Sequence, residues 1–301
     1  MRILLTGGTG LIGQALCQYW LTQGHELFVW SRRPEQVPDL CGEGVQGFAH
    51  LKYLQGIKLD AVINLAGAPI ADRRWTRQRK TLLMDSRVRL TNELVQWLGT
   101  LTHRPEVLVS GSAVGWYGDA KEKILTEADP VITRDFGSQL CQAWELAAQP
   151  ASDLGIRVVT VRTGLVLSTQ GGLLKRLLLP FKLGLGTRLG SGQHWMPWLH
   201  LADQVRLIDF LMLHPNAYGP YNACAPTPVR NTVFTQSIAA AVHRPTFLVL
   251  PEMALRVGFG EMATILTSSQ HALPAKLQQA GFSFQFTELP AALNDLLTKA
   301  H

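Results

Sequence analysis

The chain has 301 residues, 47% of them hydrophobic and 17% charged, with a formal net charge of +6. That length suits about two domains, or one large α/β domain with an appendage, and the apolar content excludes intrinsic disorder. No run approaches the roughly 18 consecutive apolar residues of a membrane span, and the N-terminal MRILLTGGTG turns to glycine where a signal peptide would stay apolar. A cytoplasmic protein without membrane contact is therefore expected. Cys17, Cys41, Cys141 and Cys224 show neither CxxC nor Cys/His spacing, so neither a disulfide framework nor a metal site is expected. The basic balance admits an anionic ligand. Without a helix-turn-helix, an aromatic RNA-binding motif or a basic tail, it points to a small phosphorylated ligand and no nucleic acid.

In chain order, Arg2 to Thr6 is a short apolar run that ends in Gly7, Gly8, Gly10 and Gly13, and a helical apolar period follows from Leu11 to Gln23. Strand, turn and helix are predicted. Further strands are predicted at Glu26 to Trp30, Asp60 to Leu65, Val107 to Ser110 and Arg157 to Arg162, with the clearest helices at Thr81 to Leu98 and Asp135 to Gln149. This alternation predicts an α/β fold, a Rossmann-type doubly wound parallel sheet over residues 1–168. Beyond Leu167 the texture becomes Gly- and Leu-rich, then aromatic. A smaller substrate-binding lobe is expected over 169–197 and 225–301, with the chain returning to the sheet around 198–224.

Gly7, Gly10 and Gly13 follow GxxGxxG spacing. Turn glycines let a pyrophosphate approach the backbone, and the helix N-terminus adds amide donors and the positive end of its dipole. After the second strand, where an acid would bond the ribose hydroxyls of NAD, the chain reads Ser31-Arg32-Arg33. Two guanidinium groups there suit a 2′-phosphate and hence NADP(H).

TGGTGLIG with SRR, NLAG (Asn64 to Gly67), SGSAVGWYGD (Ser110 to Asp119) and RTGLVL (Arg162 to Leu167) resembles the extended short-chain dehydrogenase/reductase superfamily, in its epimerase/dehydratase branch. PFKLGLGTRLGSGQHWMPWLHLAD, YNACAPTPVRN and GEMATILTSSQHALPAKLQQAGFSF resemble its atypical YfcH-like epimerase family proteins, which carry a C-terminal domain of unknown function. The resemblance spans nearly the whole chain and implies a Rossmann fold that binds NADP(H). Motifs and resemblance together assign the cofactor to Gly7, Thr9, Gly10, Leu11, Ile12, Gly13, Ser31, Arg32, Arg33, Asn64, Leu65, Ala66, Gly67 and Arg162.

The superfamily's Tyr-x-x-x-Lys dyad is absent. Aligned through Glu145, its tyrosine falls on Gly137 and its lysine on Cys141. The candidate catalytic groups are then Ser112, which matches the serine that holds the substrate oxygen, Tyr117 as a phenolic proton donor, and His200 of a His-x-x-Asp stretch ending at Asp203. Each has a structural alternative: a cap for Ser112, loop packing for Tyr117, a loop hydrogen bond for His200 or Asp203. Trp195 and Trp198 are expected to wall the cleft. Between Asp72 and Leu90, Lys80 and Arg87 share a helical face that either grips an anionic substrate or is solvated. The expected function is an NADP(H)-dependent oxidoreductase or epimerase of a small-molecule substrate, open to homodimerisation through the two long helices. The rival is a catalytically silent NADP(H)-binding redox sensor.

Overall fold

The computed structural model describes residues 1–298, so the last three residues of the lobe expected over 225–301 lie outside the described residues. Seven parallel strands form one sheet: β1 Arg2–Thr6, β2 Glu26–Trp30, β3 Val45–Phe48, β4 Ala61–Asn64, β5 Val107–Ala113, β6 Arg157–Thr163 and β7 Gly219–Ala223. Their spatial order is β7-β6-β5-β4-β1-β2-β3, with the reversal between β1 and β4 that defines a doubly wound fold.

Burial on both faces explains why the inner strands read as unbroken apolar runs rather than alternations. On one face Ile3, Leu5 and Val109 pack with Leu16 and Trp20 of helix Leu11–Thr22 and with Leu207 and Leu211 of helix Leu201–Leu213. On the other, Leu4, Val62 and Leu108 meet Leu94 and Leu98 of helix Leu90–Gly99 and Ala148 of helix Phe136–Ala148. Arg157, at the start of β6, ties helix Leu201–Leu213 to the sheet by donating to the carbonyls of Leu211, Met212 and Ala217.

Two features differ from the sequence-based expectation. The edge strand β3 was not predicted: VQGF is short, carries a glycine and is only partly buried. The helix predicted over Thr81 to Leu98 is three pieces, an α-helix Arg77–Met84, a π-helical turn Asp85–Arg89 and the α-helix Leu90–Gly99.

The remaining chain forms a second core of Leu167, Leu174, Phe181, Trp198, Phe234, Ile238, Leu289 and Leu293. Asp203 joins it to the sheet domain. Fully buried, this carboxylate accepts from the backbone N–H groups of Gln285 (2.8 Å) and Phe286 (2.9 Å) and from Arg206 Nη1 (3.1 Å). Replacing Asp203 by Ala takes the acceptor from two part-buried amides and from the Arg206 guanidinium, at a cost of about 2–4 kcal/mol. Thermal denaturation of Asp203→Ala should show Tm lower by about 5 °C or more, given roughly 2–4 °C per kcal/mol for domains of this size. An unchanged Tm would mean that the clamp contributes nothing.

Candidate active site

The turn after β1 is shaped by what cannot fit. Gly7 has φ +73°, and a Cβ on it would lie 2.7 Å from the carbonyl carbon of Leu65; a Cβ on Gly13 would lie 2.3 Å from the Gly7 carbonyl oxygen. Glycine at both positions lets the turn, the following helix and the loop after β4 meet backbone to backbone. Exposed Gly10 starts helix Leu11–Thr22 with no side-chain cap, so the first-turn amides and the positive dipole end face outward, with Thr9, Leu11 and Ile12 half-buried around them. Gln14 Nε2 donates to the Thr9 carbonyl at 2.7 Å and Cys41 Sγ to that of Gly8 at 3.3 Å, which holds the turn. A tight turn of backbone against backbone, with exposed Gly10 bordering an uncapped helix start, fits a dinucleotide pyrophosphate.

At the end of β2, half-buried Ser31 accepts from the Arg33 N–H at 3.1 Å, and the chain then turns into the short helical segment Pro34–Gln36. Arg32 and Arg33 are exposed, and neither forms an ion pair among the described residues. Asn64, at the end of β4, is fully buried: its Oδ1 accepts from Thr6 (2.7 Å), and its Nδ2 donates to Thr91 (2.8 Å) and Ser110 (3.0 Å). Its side chain is thus spent on holding the loop. The Leu65, Ala66 and Gly67 backbone lies beside the glycine turn, and the Ala66 N–H donates to Thr6 Oγ1 at 3.1 Å.

Past β5 and β6 a buried polar chain runs across the sheet. Ser112 Oγ donates to Glu145 Oε1 at 2.7 Å, and Arg162 grips the same carboxylate through Nε (2.8 Å) and Nη2 (3.0 Å). Arg162 Nη1 donates to the Tyr117 hydroxyl at 3.1 Å, and that hydroxyl lies 2.8 Å from Asn222 Oδ1 and 2.9 Å from the Thr126 carbonyl. The Arg162 guanidinium also stacks on Trp116, 3.5 Å from the ring centre. Arg162, read from the sequence as a cofactor contact, is therefore engaged inside the protein by Glu145, Tyr117 and Trp116. Tyr117 is fully enclosed, and burial pushes its pKa up to about 12. Glu145, Trp116 and Asn222 were not singled out from the sequence as site residues. The only signal was their place in the quoted motifs and, for Glu145, its use to align the missing dyad.

Gly137, Cys141 and Glu145 recur every fourth residue on helix Phe136–Ala148, so one face carries all three. A Cβ on Gly137 would point toward Trp75, whose ring meets Phe136 edge-on at 4.9 Å. The Cys141 thiol is buried, which pushes its pKa up to about 12 and keeps it from being a thiolate. His200 lies apart from this group. It caps helix Leu201–Leu213 by accepting from the Ala202 N–H at 3.0 Å, stacks on Phe286, and places Nε2 3.3 Å from Asp295. Trp198 is fully buried in the second core, with Nε1 donating to the Thr227 carbonyl at 2.9 Å, while half-buried Trp195 stacks on His271. Lys80 pairs with Glu261, and beside it Trp75, Arg77, Thr81 and Met84 line an open depression of about 480 Å³.

Among the described residues no three His, Cys, Asp or Glu side chains group to hold a metal, and no helix is long and apolar enough to cross a membrane. The NAD dependent epimerase/dehydratase family matches residues 3–224, and a domain of unknown function, DUF1731, matches residues 250–296. An epimerase family protein of Mycobacterium bovis is 40% identical over 99% of this chain and 98% of its own, and one from Staphylococcus epidermidis is 37% identical over 98% and 99%. The crystal structure of human epimerase family protein SDR39U1, solved with NADPH, superposes with a TM-score of 0.89 at 32% identity, covering 99% of each chain. UDP-glucose 4-epimerase from Thermotoga maritima shares the fold, with a TM-score of 0.82 over 100% of this chain and 99% of its own at 14% identity. The chain belongs to the NAD dependent epimerase/dehydratase family.

Proposed function

We propose that the chain is an NADP(H)-dependent oxidoreductase or epimerase of the extended short-chain type, acting on a small-molecule substrate. The observation that carries this reading is the cradle: Gly7, Gly10 and Gly13 under an uncapped helix start, with Arg32 and Arg33 exposed at the end of β2. The human relative solved with NADPH supports the same choice. When bound, NADP(H) supplies hydride transfer. Gly7, Gly10, Gly13 and the first-turn amides would hold the pyrophosphate, Arg32 and Arg33 the 2′-phosphate, and the Leu65–Gly67 backbone the inner edge.

The protein's own part is orientation. Because Ser112 gives its hydrogen to Glu145, its oxygen presents lone pairs and can accept from a substrate hydroxyl. Arg162 covers both Glu145 oxygens, and Glu145 is a positioning residue that aims Ser112. Tyr117, enclosed and hard to ionise, braces Arg162 from the other side. Losing a general acid-base group typically forfeits 10²–10⁴-fold in rate. Turnover is accordingly slow, or the substrate's own groups carry the proton. This commitment of the polar side chains to the scaffold is also what favours the second reading, a silent NADP(H) sensor.

Calorimetry should find NADPH bound at least about tenfold more tightly than NADH, and the joint replacement of Arg32 and Arg33 by Ala should erase the difference. Equal affinities in the unaltered protein would defeat the NADP(H) assignment. Gly10→Val should fold but lose the rise in Tm that NADPH gives, because its side chain occupies the phosphate's place. A retained rise would show that the glycines are not the cradle. A screen of carbonyl compounds and nucleotide sugars by NADPH absorbance separates enzyme from sensor. With a substrate in hand, Ser112→Ala should lower kcat/KM by about 10²-fold while Cys141→Ser stays within a few-fold. The opposite pattern would replace the serine account with a thiol mechanism.

A further inference from the structure

Two arginines near the loop after β4 have donors to spare. Arg87 projects from the π-helical turn Asp85–Arg89, a rare local widening that re-aims side chains and often marks functional positions. Its guanidinium is packed against Gly67: a Cβ built on that glycine would fall 2.6 Å from Arg87 Cζ. On another side the cation lies 5.2 Å from the centre of the Trp144 ring.

Arg87 Nη1 donates at long range, to the Leu83 carbonyl (3.3 Å) and to Ser86 Oγ (3.5 Å). Among the described residues Nε and Nη2 make no hydrogen bond and no carboxylate pairs with the group. Burial holds the Arg87 pKa down to about 10, with neighbouring Arg79 opposing its charge too, so it is still a cation at neutral pH. Arg79 uses Nη2 on the Pro69 carbonyl, but its Nε is buried with no hydrogen-bond partner among the described residues.

A desolvated cation is costly unless an anion meets it, and two adjacent ones more so. The buried cation Arg162 is met by an acid, Glu145. Here the acid is missing. The Nε/Nη2 edge of Arg87 is the fork that matches a carboxylate bidentately, and Arg79 Nε adds one further donor, a set suited to a planar monoanion. Cys141, close enough to Arg87 to influence its charge, joins this spot to the Ser112–Glu145 face.

We propose that Arg87, assisted by Arg79, binds a carboxylate on the substrate, anchoring it beside the Gly67 loop with its reacting carbon toward Ser112. This deepens the functional reading above and rests on it for the identity of the ligand as substrate.

The test uses malonate and its neutral counterpart malonamide as probes, titrated calorimetrically at fixed ionic strength into the protein with and without saturating NADPH. Malonate should bind at least about tenfold more tightly than malonamide, and Arg87→Gln should weaken malonate by at least about tenfold while leaving NADPH affinity within about threefold. Arg87→Lys, which keeps the charge but not the fork, should fall between them and guards against a folding defect in the first variant. Equal binding of the two probes, or malonate affinity untouched in Arg87→Gln, overturns the proposal. A parallel loss of NADPH affinity also overturns it, because the arginines would then serve the cofactor, and inorganic phosphate binding more tightly than malonate would overturn the carboxylate assignment. If NADPH fails to bind the unaltered protein, the cofactor reading falls alone, because the titration without NADPH reads the arginines directly.

Discussion

The bidentate pair between Glu145 and Arg162 is the contact on which the rest of the site depends. Both side chains are nearly removed from water, Arg162 at 3% and Glu145 at 7% exposure, so each charge is tolerated only because the other is there. The pair spans three elements: Glu145 comes from helix Phe136–Ala148, Arg162 from β6, and the Ser112 hydroxyl that shares the carboxylate from β5. Stacking of Arg162 on Trp116 and its bond to Tyr117 extend the hold into the loop after β5. Asn222 of β7 then closes the chain against Tyr117.

This arrangement decides what chemistry is open. The Glu145 carboxylate is taken up on both oxygens by the Arg162 guanidinium, and the Tyr117 phenol, enclosed among Arg162, Asn222 and Thr126, is a poor acid, so these groups hold the scaffold. What retains hydrogen-bonding capacity is the oxygen of Ser112, the uncapped amides at the start of helix Leu11–Thr22, and the arginines beside Gly67. Such a site is equipped to bind and orient more than to transfer protons. Asp203 of helix Leu201–Leu213 fastens the DUF1731 segment through the amides of Gln285 and Phe286, so the second core is held to the sheet domain by polar bonds as well as apolar packing.

The sheet and the glycine cradle were legible because their causes are local. β1, β4 and β5 are apolar runs because both faces are covered, and Gly13 and Gly10 meet backbone of Gly7 and Gly8 within a few residues, although Gly7 itself also abuts Leu65. β3 escaped notice because a half-exposed edge strand of four residues with a glycine carries almost no pattern. The π turn at Asp85–Arg89 was invisible because the apolar spacing on either side still reads as one helix. Within the site, Ser112 could be picked out by its motif, whereas its pairing with Glu145 on helix Phe136–Ala148, and that of Tyr117 with Asn222, joins residues far apart in sequence that only the packed fold brings together. The commitments of Asn64 to Thr6, Thr91 and Ser110, and of His200 to a helix start, are of the same long-range or conformational kind.

A double-mutant cycle on Glu145 and Arg162, read by urea denaturation, tests the central claim most directly. Glu145→Gln and Arg162→Met should each cost about 3–5 kcal/mol, because each leaves an uncompensated buried partner. The double variant should cost less than the two together, with a coupling energy of about 2 kcal/mol or more. Costs that add to within about 0.5 kcal/mol would mean that the two side chains act independently, and the account of the site as a structure hung on this pair would be wrong.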